Sequence, residues 1–168
     1  MGGRELMGFA DDLLEQSYHL LNKDGENPKE ASLRRAVSTA YYALFHLLID
    51  EAVSNWGIAR QRSTLARTFE HKEMKRVCDD CVRDFYIANQ PVDGLQLKDV
   101  AQTFSELQQK RHTADYDNSY AWTRVRAETW IDKADAAFKS WRAIRAQDAA
   151  QDFLLTLFLP KAARRDGG

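Results

Sequence analysis

Hydrophobic side chains return every three or four residues in five long stretches of the chain and one short one. The broadest lies at Ala31–Ala52, ASLRRAVSTAYYALFHLLIDEA, where only Ser38, Thr39 and His46 interrupt the apolar run from Ala36 to Ile49. Val37, Tyr41, Leu44, Leu48 and Ala52 make one row, and Ala36, Ala40, Phe45 and Ile49 an adjacent one. The period is helical and the arc is wider than a surface helix needs. It predicts a helix covered on more than one side, at the centre of a bundle or of a bundle that also pairs with a second copy of itself. A membrane-spanning reading fails, because the uncharged stretch is too short and charges flank it closely. The start of this helix is marked by Asn27 as N-cap, Pro28 at the first helical position and Glu30 at the third.

The other stretches follow the same logic. Leu6, Phe9, Leu13, Ser17 and Leu20 define one face of a first helix, roughly Glu5 to Leu21, and Asn22–Asn27 is a polar turn. Asn55-Trp-Gly57 ends or bends the central helix. Ile58–Ser63 is a basic loop or helix start. Leu65, Phe69, Met74, Val77, Cys81 and Phe85 predict a third helical region, with a break near His71. Asn89–Gly94 reads as a loop, since Pro and Gly both punctuate it. Leu97, Val100, Phe104, Leu107, Arg111 and Ala114 share a stripe on a fourth helix that ends near Tyr116–Ser119. Thr123 caps a fifth, whose face is Ala127, Trp130 or Ile131, Ala134, Phe138, Trp141, and Ile144 or Arg145. Phe153–Leu159 is too apolar to lie in water and too short to cross a bilayer, which predicts a short helix docked on the bundle or on a partner.

The expected fold is all-α: an antiparallel bundle of about five helices with a short apolar C-terminal helix, in one domain over residues 1–160. A basic, mobile tail over 161–168 follows. Composition agrees, with only 8 Gly and 3 Pro in 168 residues and a hydrophobic content of 44%. A net charge of −1 gives no whole-protein sign of nucleic-acid binding, although local patches are compatible with it. Arg60, Arg62 and Arg67 form one basic group, Arg124, Arg126, Arg142 and Arg145 a second, and Lys161, Arg164 and Arg165 a third. Converging on one groove they would make a phosphate-binding rim. No signal-peptide pattern opens the chain, and two cysteines suit a reducing compartment, so the cytoplasm is the expected location.

Arg111 is the most informative single residue. It continues the stripe of Phe104 and Leu107, so its charge points toward the bundle or a groove. Asp115, one turn on, is placed to pair with it. Either the pair closes the helix end structurally, or Arg111 holds an anion beside His112 and Tyr116. His112 is turned about 100° from Arg111 round the helix. Cys78-Asp-Asp-Cys81 lacks a second pair of ligands at zinc spacing and has no strand before it, so two half-buried cysteines are expected and no metal or cofactor. His46 is expected in the core. Trp130 and Trp141 are spaced for a core or interface, not for base stacking.

Ala36, Tyr41, Tyr42, Ala43, Phe45 and His46 follow a pattern that resembles the second helix of HEPN domains. Arg111-His-Thr-Ala-Asp-Tyr116 resembles the Arg-x-x-Ala-Asp-Tyr motif of a bacterial branch of that group, and Phe69–Met74 is similar to the segment between. The resemblance spans about four helices. It implies a small all-α bundle that homodimerises, is often encoded beside a nucleotidyltransferase, and serves as a ribonuclease toxin, a defence component, or a nucleotide- or RNA-binding module. Ribonuclease members carry an Arg followed after four to six residues by a His. Here Tyr116, Asp117 and Asn118 occupy the positions after Arg111, and His19, His46, His71 and His112 have no Arg at that spacing; Arg67 and His71 miss by one. Tyrosine is a poor general base near neutral pH.

Three functions stand side by side. The first is a nucleotide- or RNA-binding module, as one option the HEPN component of a toxin–antitoxin or defence pair, with Arg111, Asp115, Tyr116, Arg67 and His71 as binding residues. The second is a metal-independent ribonuclease using Arg111 with Tyr116 or His112. The third is a structural dimerisation module.

Overall fold

The computed structural model describes residues 8–87 and 94–159. Every regular element among them is helical: α1 (Phe9–Asn22), α2 (Glu30–Ser54), a 3-10 turn (Ala59–Gln61), α3 (Arg62–Ala66), α4 (His71–Ile87), α5 (Leu95–Tyr116), α6 (Arg124–Ile144) and α7 (Asp148–Phe158). The expected tail, and most of the expected loop before Gly94, lie outside the described residues. Seven α-helices replace the expected five and a short one because the third region is split at Arg67–Glu70, just before His71. Among the described residues no helix is long and apolar enough to cross a membrane.

The chain divides into two compact units, one from Met1–Leu47 and Glu106–Ala136, the other from Leu48–Ser105 and Ala137–Gly168. In the first, α1 buries Ala10, Leu14, Ser17 and Leu21. That stripe lies one position from the expected one, since the pairs Leu13-Leu14 and Leu20-Leu21 satisfy either. Ser17 keeps its burial by donating to the Leu14 carbonyl at 2.7 Å. After α1, Gly25 turns the chain at φ 64°, the left-handed region that glycine enters without strain. The expected Asn27 cap is not used. The chain stays non-helical through Pro28 and Lys29, and the Asp24 carboxylate accepts the Lys29 N–H at 3.0 Å. Hydrogen bonds from Ser32 and then Lys29 hold the Asp24 pKa below the usual carboxylate value. Glu30 pairs with Arg34 at 2.8 Å instead of reaching back to a cap.

On α2 the two apolar rows are buried along their whole length, from Ala36 and Val37 to Ile49 and Ala52. Within one chain this arc is already buried. Thr123 caps α6 as expected, its Oγ1 accepting the Arg126 N–H at 3.3 Å. The α6 face resolves to Ile131 and Ile144, both buried, in place of Trp130 and Arg145.

In the second unit α4 packs on α7. Phe153, Leu154 and Leu157 of α7 are buried, as its apolar sequence requires, while Leu155 remains exposed. Trp141 stands 6.3 Å from Phe153 between ring centroids, and Phe69 lies edge-on to Phe158 at 5.0 Å. Polar ties hold the margins: Ser105 donates to Asp79 at 2.6 Å, Asn55 to Gln151 at 2.8 Å, and Arg145 pairs with Glu51 at 3.3 Å.

Candidate functional site

The Arg111 side chain is 15% exposed, and its guanidinium carbon lies 5.3 Å from the Tyr41 ring centre and 6.0 Å from that of Tyr42. Both rings come from α2, where the 3.6-residue period turns Tyr41 into the core and leaves Tyr42 half-buried. An arginine close to aromatic faces is held there by cation–π attraction. Its expected partner is present, but loosely so. Nη1 of Arg111 is 3.7 Å from Oδ2 of Asp115, beyond hydrogen-bond range. The same Asp115 oxygen accepts from the buried Ser38 hydroxyl at 3.3 Å. Nε of Arg111 is buried and bonded to nothing. The guanidinium is thus positioned by rings, neutralised at a distance and left with donor capacity.

His112 and Tyr116 pack on each other, ring centres 5.0 Å apart, and neither ring is bonded to Arg111 or Asp115 among the described residues. Helix geometry explains the separation. Asp115 is about 40° round α5 from Arg111, whereas His112 and Tyr116 are about 100° and 140° away. Tyr116 is 66% exposed. Arg67 and His71 belong to the other unit. There Arg67 donates to the Ser63 carbonyl at 3.3 Å, and His71 opens α4. The basic groups divide likewise. Arg60, Arg62, Arg67, Arg142 and Arg145 fall in the second unit, Arg124 and Arg126 in the first, and the group after Pro160 lies outside the described residues. Half-buried His46 sits edge-on to Phe9 at 5.0 Å and Phe45 at 5.4 Å.

Sequence reasoning passed over Arg34. Its Nη1 donates to the carbonyls of Thr113 at 3.3 Å, Ala114 at 2.9 Å and Asp117 at 2.9 Å, and Nη2 to that of Tyr120 at 2.8 Å. Nε and Nη2 also hold Glu30. A cation here gathers carbonyls of the last turn of α5 and of the segment after it, and opposes the negative end of the helix dipole. The one local sign was Glu30 four residues before Arg34, which marks a surface pair and nothing more.

Cys78 is fully buried and Cys81 partly so, both as free thiols. Burial raises both pKa values, that of Cys81 to about 11, so both stay protonated and poor as nucleophiles or ligands. Among the described residues no group of three His, Cys, Asp or Glu side chains is placed to hold a metal ion. A hollow of about 600 Å³ between α4, α5 and α7 is bordered by Cys81, Phe85, Lys98 and Phe153. Lys98 is engaged there, paired with Asp99 at 2.6 Å and 5.8 Å above the Phe85 ring. Compared with protein-family models, curated proteins and solved structures, the chain matches none.

Proposed function

We propose that the first unit is a phosphate-binding module for nucleotide or RNA, HEPN-like in descent and without efficient cleavage of its own. The observation that carries the reading is the state of Arg111, a mostly buried guanidinium whose carboxylate partner, Asp115, stands off at 3.7 Å. A charge sequestered in protein calls for close, hydrogen-bonded compensation. A phosphate oxygen would supply it, and a planar fork held beside two tyrosine rings suits that ligand. Cleavage is not proposed, because no histidine stands at the ribonuclease spacing and His112 and Tyr116 lie on another flank of α5. A homodimer and a nucleotidyltransferase-type partner belong to the same proposal through the HEPN resemblance. Light scattering tests the first: a monomer at micromolar concentration would remove it.

The decisive experiment compares wild type with Arg111→Ala in thermal unfolding, RNA binding and RNA cleavage. The variant is expected to fold and to bind RNA at least tenfold more weakly. Metal-independent cleavage by wild type that disappears in a well-folded Arg111→Ala protein would replace the binding module with a ribonuclease. A variant that loses its fold would return Arg111 to a structural role.

A further inference from the structure

Five side chains of the first unit form a ladder of alternating cations and rings. The Arg126 guanidinium carbon is 5.2 Å from the Tyr120 ring centre, and Lys110 Nζ is 5.7 Å from the same ring. Lys110 also lies 5.2 Å from the Trp130 ring centre, and Lys133 lies 4.3 Å from it. Lys133 shares its charge with Glu106 at 3.2 Å. Among the described residues, neither the Lys110 nor the Arg126 side chain has a carboxylate partner; the Arg126 guanidinium donates to the Ala121 carbonyl at 2.7 Å.

Helix α6 separates its charges by side. At 100° per residue, Arg126, Trp130 and Lys133 fall within about 60° of one another, while Glu128, Asp132 and Asp135 lie about 140–200° from Trp130. The acids turn instead toward α1. Tyr18 donates to Asp132 at 2.8 Å, and its phenol pKa is pushed up first by burial and then by Asp132, Asp135 and Glu128. A chain of net charge −1 thus carries a flank with unneutralised cations beside half-exposed aromatic rings.

We propose that this flank is a binding face for single-stranded RNA, with a base on the Trp130 ring and successive phosphates on Lys110, Arg126 and Lys133. The inference rests on the nucleic-acid reading above but not on Arg111. Energies favour the exchange of partners. A base stacked on an aromatic side chain gains more than one exposed cation over the same ring does. A base therefore displaces the lysines, which swing on flexible stems toward the backbone charge that follows it. Alternating rings and cations match a strand that alternates bases and phosphates, and a duplex, with its bases stacked inside, offers nothing to Trp130.

The test uses the full chain and a fluorescein-labelled 12-nucleotide oligouridylate, read by anisotropy at several salt concentrations. Trp130→Ala is expected to weaken binding at least tenfold and Trp130→Phe much less. Lys110→Gln and Arg126→Gln should each flatten the logarithmic salt dependence by about 0.7, the share of one phosphate contact on a single strand. These two variants keep the test open if Trp130→Ala does not fold. Unchanged affinity in folded Trp130→Ala, unchanged salt dependence in both cation variants, or a 12-base-pair duplex bound as tightly as the single strand would each overturn the proposal. Arg111→Ala separates the two readings. Loss of binding there with full binding in Trp130→Ala removes the ladder and keeps the Arg111 site, and the reverse pattern does the opposite. Absence of oligonucleotide binding in wild type removes both.

Discussion

Arg34 and Arg111 belong to the same unit, both come from long helices, and both are similarly enclosed at 16% and 15% exposure. Their surroundings differ. Arg34 is used up by four carbonyls and Glu30, each within 3.3 Å. Arg111 meets one carboxylate at 3.7 Å and has an Nε bonded to nothing. Burial alone therefore does not set the two arginines apart; the number and closeness of their partners do. The first is a clasp between the start of α2 and the end of α5. The second is a charge held in place without being satisfied.

The largest effect is expected at the clasp. Arg34→Ala strips its carbonyl acceptors of a charged donor in a half-buried site, at a cost of about 3 kcal/mol. For a chain of this size that lowers the melting temperature by roughly 6–12 °C. A loss below about 1 kcal/mol in calorimetry would show the clasp to be incidental.

Arg111→Ala should cost no more than about 1 kcal/mol, because Asp115 keeps its Ser38 bond and its side chain is 22% exposed. Denaturant unfolding decides this. A loss of about 3–5 kcal/mol, the penalty for breaking a truly buried pair, would erase the contrast between the two arginines.

Ser38→Ala sharpens the comparison further. It removes a long hydrogen bond and should cost about 0.5 kcal/mol. Freed of it, Asp115 can close on Arg111, so RNA binding should fall severalfold while stability barely moves. Unchanged binding would detach Asp115 from the control of Arg111.

The smallest effect concerns acid. Bonds from Ser119 lower the pKa of Asp117, the residue whose carbonyl Arg34 also holds. A carboxyl lowered on folding contributes stability that is complete above its unfolded pKa, 3.8, and is lost as pH falls through the lower folded value. Hydrogen exchange at the Ser119 amide should thus be constant, after correction for intrinsic rates, from pH 5 to 8 and lose protection only below about pH 4. Loss of protection already near pH 6 would contradict the assignment.

The contrast also explains what could be read in advance. The four-residue step from Arg111 to Asp115 made that pair visible, as Thr123 made the α6 cap visible and the alanine–leucine rows made α2 visible. Arg34 was hidden because its carbonyl acceptors stand 79–86 residues away and are backbone atoms, which leave no mark in side-chain identity. The α1 stripe missed by one position where two adjacent leucine pairs fitted two registers. Trp130 was expected in a core or interface, but Ile131, one step along, is the residue that fills the core. That step leaves the indole among lysines. The HEPN resemblance pointed to Arg111, Asp115 and Tyr116, yet it could not report the distance from Arg111 to Asp115 on which the reading turns.

Both cysteines of the chain lie in α4, and the first unit has none. Cys78 is wholly enclosed, and burial keeps its thiol protonated. A thiol in that state is a clock. Alkylation must wait for the second unit to open, so at low reagent excess the labelling rate equals the open fraction multiplied by the rate for an unprotected thiol. Mass spectrometry of Cys81→Ser protein would read that fraction without denaturant and without any signal from the first unit. Timed with and without RNA, the same clock reports whether a ligand held by one unit slows the opening of the other.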